Sequence, residues 1–212
     1  MKKVLEFLRT GRQSPDREAE RDGFPESQFF TTGFHDVDDA TVPVVHWAER
    51  AKAIGARKLA RPAPVKRLKE LWSRDRFMAG LSPDDLEKCA HHFEFYAVDA
   101  NKDLIAQNEY GGFMLVVLHG AVAVDRQQPW GERLRLTEVR AGNVLGEMSL
   151  LDAGPRWSYC TTLNPCEVAV LEAGALDAMI EQDPGSAARL VGSLARRLSL
   201  RLRKLGASSQ TP

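Results

Sequence analysis

Three residues in one short stretch can do chemistry together: Gly146, Glu147 and Arg156. Gly146 has no Cβ, so its backbone can come close to an anion, and the short helix expected after it offers unpaired N–H groups. Glu147 can accept hydrogen bonds from a ribose hydroxyl. Arg156 can fork onto phosphate oxygens with two parallel donors. The trio suits a small phosphorylated sugar. The stretch that holds it, residues 141–162, reads as a strand end, a glycine-led helix, a turn and the start of another strand.

The flanking elements follow from periodicity. From Phe93 apolar residues alternate (Phe93, Phe95, Val98), and short apolar runs follow at 104–106, 114–118, 121–124, 134–139 and 167–171. Short strands at such intervals predict an antiparallel sandwich or roll. Asn101, Asn108, Gly120, Gly142 and Gly146 sit where strands end or reverse, and all five are expected at positive φ. Helices flank the strands. Trp47, Ala51 and Ile54 share one face, and residues 61–64, with two prolines, read as a semi-rigid connector. Val65, Leu68, Leu71 and Trp72 line a second helix, and Ser82 caps a third, whose first turn holds Pro83, Asp84 and Asp85. Beyond a short helix at 175–180, Asp183-Pro184 breaks the chain. A long helix then runs from about 185 to 205 with Leu190, Val191, Leu194 and Leu198 on one stripe and arginines around it.

Composition narrows the options. The 212 residues are 43% hydrophobic, enough for a core, and 29 basic residues balance 29 acidic ones, so no overall field steers the chain to nucleic acid. Cys89, Cys160 and Cys166 have neither redox nor metal spacing, and an odd count argues against a disulfide framework. The adjacent His91 and His92 point apart on a helix and make poor joint ligands. His35 and His46, near Asp36, Asp38 and Asp39, are read as surface groups. No Ser/His/Asp or Cys/His set emerges, so the chain is not expected to be an enzyme. No run is long enough for a membrane span, and the expected place of work is the cytoplasm.

The run Gly-Asn-Val-Leu-Gly-Glu-Met-Ser-Leu-Leu-Asp-Ala-Gly-Pro-Arg at 142–156 resembles the phosphate-binding cassette of the cyclic nucleotide-binding domain family. The resemblance extends over about residues 68–205 and includes Ile105 and Asn108 at a strand–turn junction and the run Gly-Ala-Val-Ala-Val at 120–124. It implies an α+β, mainly β fold: an antiparallel double-stranded β-roll (jelly roll) flanked by N-terminal helices and a long C-terminal helix. It further implies that Glu147 holds the ribose 2′-hydroxyl and Arg156 the cyclic phosphate, with N–H groups around Gly146, Met148 and Ser149 completing an anion nest. The expected ligand is a cyclic nucleotide, cAMP by family frequency, with no other cofactor and no metal. One position departs from the pattern: a small residue usually follows the arginine, and here stands Trp157. The indole can stack on a purine or fill the pocket, and Ser158 can take the small-residue role.

The expected organisation is an N-terminal extension at 1–64, partly disordered with short helices, a binding domain at 65–205 and a flexible tail at 206–212. Within the extension, Val4, Leu5, Phe7 and Leu8 suggest a helix that docks or anchors, and residues 11–40 a mobile arm. Binding would be transmitted to a protein partner through the helices and the arm. DNA is not an expected partner, stable membrane insertion is not expected, and a homodimer is expected through Leu190, Val191, Leu194 and Leu198. The competing expectations are a nucleotide-free adaptor closed by Trp157 and a receptor for a cyclic dinucleotide such as c-di-GMP.

Overall fold

The computed structural model describes residues 30–31, 43–78 and 80–208. The helix expected near residues 4–8, His35 and the last four residues lie outside the described residues. Among the described residues nine strands form two antiparallel sheets. The five-stranded sheet runs β1 (Arg57–Lys58), β2 (Glu94–Val98), β9 (Cys166–Glu172), β4 (Phe113–His119) and β7 (Val144–Leu145). The four-stranded sheet runs β3 (Asp103–Ile105), β8 (Tyr159–Thr162), β5 (Ala121–Gln127) and β6 (Arg133–Arg140). The molecule is the expected α+β arrangement, with the roll carrying helices on one side.

β4 shows why its sequence has no polar face. Its side chains alternate between two cores. Phe113, Leu115 and Val117 point between the sheets, where they meet Leu104, Ile105, Val122, Leu145 and Cys160. Met114, Val116 and Leu118 point to the helices. Both faces are covered, so every position through Leu118 is apolar. β6 is the opposite case, an edge strand exposed along nearly its whole length.

The helical layer consists of α2 (Pro62–Ser73), α3 (Pro83–His91), α5 (Ala173–Gln182) and α6 (Pro184–Ser208). Leu68, Trp72, Leu86, Leu176, Met179, Leu190 and Leu194 form its buried centre. Ser82 and Asp85 make a reciprocal capping box at the start of α3. The Asp85 carboxylate also accepts from Ser186 Oγ (2.8 Å) and Arg189 Nη1 (2.6 Å), tying α3 to α6.

Three expectations are corrected. Residues 61–64 are not a connector: Pro62 and Pro64 occupy the first turn of α2, where no intrahelical N–H bond is lost. Of the four residues expected to form a seam with a second copy, Leu190 and Leu194 are already buried within the protomer, and Val191 and Leu198 are half-buried. α6 continues through Ser208, three residues into the expected tail. Finally, Phe30 and Thr31, within the supposed mobile arm, are held. Asp177 Oδ1 accepts from Phe30 N (2.9 Å) and Oδ2 from Thr31 N (2.8 Å), and Phe30 is buried in the helical core.

Helix α1 (Trp47–Ile54) seals one side of the roll. Trp47 meets Tyr96 and Phe113 edge-on at 5.2 and 5.4 Å between centroids. Val45 N donates to Tyr110 O (2.8 Å), and β1 adds itself antiparallel to β2.

Candidate functional site

Gly146 follows β7 and opens the short helix α4 (Glu147–Asp152), with φ at 77° and ψ at 7°. The positive φ favours glycine, and so does space: a Cβ here would lie 2.6 Å from Arg156 Nη1 and 2.9 Å from Ile105 Cδ1. Gly111 is restricted by space alone, its hypothetical Cβ falling 2.9 Å from Arg156 Nη2. The close approach expected toward an anion is made toward a guanidinium.

That guanidinium is buried, with Arg156 only 2% exposed. Nη1 donates to Gly146 O (2.9 Å) and Nη2 to Phe113 O (2.7 Å). Its carbon lies 4.4 Å from the Phe113 ring centroid. Nε is buried and has no hydrogen-bond partner among the described residues. Burial pushes its pKa down to about 10, with Glu109 as the strongest opposing influence and the Arg50 charge adding to the depression. Arg50 of α1 is itself ion-paired with Glu109. A cation supported by two carbonyl dipoles is an electrostatic environment short of negative charge.

Glu147 is also 2% exposed. Its carboxylate is engaged: Arg201 Nη1, reaching from α6, donates to Oε1 at 2.7 Å. Ser149 is buried on the inner side of α4, Met148 is exposed, and Ser158 is half-buried. The structure thus brings Gly146, Glu147 and Arg156 together and adds Arg201.

Trp157 lies at the surface. Its indole is 49% exposed, outside the roll interior. It lines a groove of about 720 Å³ with Gln107, Asn108, Arg126, Gln128 and Leu136. The groove opens beside the turn that carries Arg156. Arg126 of β5 sits over the indole, its guanidinium carbon 4.3 Å from the ring centroid.

Arg201, Arg126, Glu109, Arg50 and Gly111 were not singled out as site residues from the sequence. Arg201 was visible only as one of several arginines on the long helix. The adjacent Gly111 and Gly112 were a usable signal for close backbone approach. The three cysteines are buried and free, with burial pushing Cys89 and Cys160 up to about 12. Among the described residues no group of three or more His, Cys, Asp or Glu is placed to hold a metal, and no helix is long and apolar enough to cross a membrane.

Residues 97–183 match the family described as Cyclic nucleotide-binding domain. The chain is 26% identical over 129 residues to the CRP-like cAMP-activated global transcriptional regulator of Mycobacterium tuberculosis, covering 61% of this chain and 58% of that protein. It therefore spans little more than half the length of that curated relative. A cyclic nucleotide-binding domain from Methylobacillus flagellatus superposes with a TM-score of 0.65 at 23% identity, covering 70% of this chain and 84% of that one. The Catabolite Activator Protein of Thermus thermophilus superposes with a TM-score of 0.55 at 27% identity, covering 64% and 63%.

Proposed function

Starting from a chain whose residues 97–183 belong to the cyclic nucleotide-binding domain family, we propose that it is a non-enzymatic receptor for a cyclic mononucleotide. The ribose hydroxyl engages Glu147 and the cyclic phosphate engages Arg156, beside the backbone of Gly146, Met148 and Ser149. The base lies in the groove against Trp157, with Ser158 at its edge.

The observation that carries this reading is the placement of Trp157. Its indole lines an open groove beside the cassette and does not plug it. The buried, unpartnered Nε of Arg156 agrees with it, because a guanidinium so placed gains from an incoming anion. Transmission follows from Arg201. A ribose hydroxyl arriving at Glu147 competes for the carboxylate that now holds α6, so the ligand shifts the population of α6 arrangements presented to a protein partner. Three buried, free thiols favour a reducing compartment, and we place the protein in the cytoplasm.

One observation favours a second reading, the nucleotide-free adaptor. Two of the Arg156 nitrogens already bond backbone carbonyls and clamp the cassette onto the start of β4. Calorimetric titration with cAMP, cGMP and c-di-GMP separates the two. A receptor gives saturable heat with a mononucleotide and a raised Tm, and Trp157→Ala weakens binding by about 1–3 kcal/mol, the worth of one base–aromatic stack. Silence with all three nucleotides leaves the adaptor. Saturable binding of c-di-GMP alone transfers the groove to a dinucleotide.

A further inference from the structure

The groove beside the cassette contains an unused recognition element. Arg126 is half-buried on β5, and its guanidinium lies over the indole of Trp157. Nothing among the described residues accepts a hydrogen bond from it or pairs with its charge. The glutamine amides around it are more occupied, and the Asn108 amide is free among the described residues but exposed to water. Gln107 Oε1 accepts from Gln127 N (2.8 Å), and Gln127 Oε1 accepts from Tyr159 Oη (3.3 Å). Gln128 Nε2 reaches the Arg126 backbone carbonyl at 3.4 Å. Arg126 is therefore the half-buried lining group whose whole side-chain hydrogen-bonding capacity is unengaged, and that capacity is donor-only.

Stacking on an aromatic ring favours a defined plane for a guanidinium and leaves its in-plane N–H groups free. Such a fork matches a planar partner with two adjacent acceptors. Among purines, guanine presents O6 and N7 along one edge, whereas adenine presents an acceptor beside the N6 amino donor. A donor fork facing that amino group meets donor with donor.

We propose that Arg126, held by Trp157, makes the groove selective for a 6-oxopurine, so that the preferred ligand is a guanine cyclic nucleotide and not the adenine one expected from the sequence. The inference rests on the proposed function and specifies the base at that site. Arg126 determines specificity; Glu147 and Arg156 recognise the sugar phosphate common to both bases.

The test is calorimetry of the full chain with 3′,5′-cyclic GMP, cyclic IMP and cyclic AMP. Inosine shares O6 and N7 with guanine and lacks its 2-amino group, so it isolates the edge that Arg126 would read. The wild type should bind cyclic GMP and cyclic IMP about tenfold or more tightly than cyclic AMP, in line with the discrimination of one bidentate pair. Arg126→Ala should bring the three affinities within about twofold, chiefly by weakening the two 6-oxopurines. Arg126→Lys keeps the charge and loses the fork, so it should lose the preference as well. Equal or tighter binding of cyclic AMP by the wild type overturns the inference and leaves the receptor standing, and so does a guanine preference that survives both substitutions. Absence of binding by all three overturns both.

Discussion

Arg201 Nη1 lies 2.7 Å from Glu147 Oε1, so the C-terminal part of α6 is tied to the first residue of α4. The carboxylate is buried, while the Arg201 side chain is 49% exposed. The pair is asymmetric. Arg201 can be released to water, whereas Glu147 needs a replacement partner.

Arg201→Gln should therefore lower the stability of the ligand-free protein by about 1–3 kcal/mol, the cost of a buried polar group left short of a partner. It should also enlarge the rise in Tm on adding cyclic nucleotide, because the ribose then meets no competitor. Thermal unfolding with and without nucleotide reads both effects. A ligand-induced shift smaller than in the wild type rejects displacement of Arg201 by ribose.

Gly146→Ala combines a φ of 77° with a Cβ set 2.6 Å from Arg156 Nη1. The expected loss is about 1–3 kcal/mol, seen as a lower urea midpoint. Gly192→Ala is the internal contrast. It lies within α6 with nothing inside 4 Å of a new Cβ, and should stabilise by about 0.5–1 kcal/mol. Similar destabilisation by both would reject close approach as the reason for Gly146.

Asp85 gives the acid limb its shape. Ser82 above all, with Ser186 and Arg189, holds its carboxyl well below the usual range against the opposing effect of burial. The folded value is depressed, so the contribution is complete above the unfolded value near pH 4 and is lost as pH falls through the folded one. Asp85→Asn should cost about 1–3 kcal/mol at pH 7 and flatten the loss that the wild type shows as pH falls from about 5 toward 2. An equal acid slope in wild type and variant, from urea unfolding at several pH values, would assign that slope elsewhere.

At high pH the sign reverses. Burial pushes Cys89 and Cys160 up to about 12, and Tyr96, which is also hydrogen-bonded to Glu94, reaches about 12. Above about pH 9 the unfolded thiols ionise while the folded ones keep their protons, so stability falls as pH rises toward 12. Arg156 opposes this only above about pH 10, where the folded guanidinium starts to lose its proton. Ellman's reagent at pH 8 should find all three thiols unreactive in the native protein and reactive in denaturant. A thiol that reacts promptly in the native state would contradict its burial.

Local rules made much of the fold legible in the sequence. Asn101, Asn108, Gly120, Gly142 and Gly146 all have positive φ, because each had to reverse a strand or open a helix and its side chain permits it. Ala153 at φ 52° carried no such signal, since alanine is not a usual left-handed residue. The prolines at 62 and 64 were ambiguous, because the same residue can break a helix or start one. The cassette was visible because its residues lie within ten positions of one another. The Glu147–Arg201 bond spans 54 positions and depends on how α6 crosses the roll, which periodicity alone cannot supply. The stripe on α6 was correctly apolar, but a stripe does not say whether its partner is another chain or the protein's own core.

The grip of Asp177 on Phe30 and Thr31 bears on the order in which the chain is assembled. The partners lie 147 and 146 positions apart, and the carboxylate belongs to a helix formed after the last strand. At translation speeds of about 5–20 residues per second, Phe30 emerges roughly 7–30 s before Asp177 can receive it. Every strand of the roll is made within that interval, β9 just ahead of Asp177, so this early segment waits for a partner that follows the last strand.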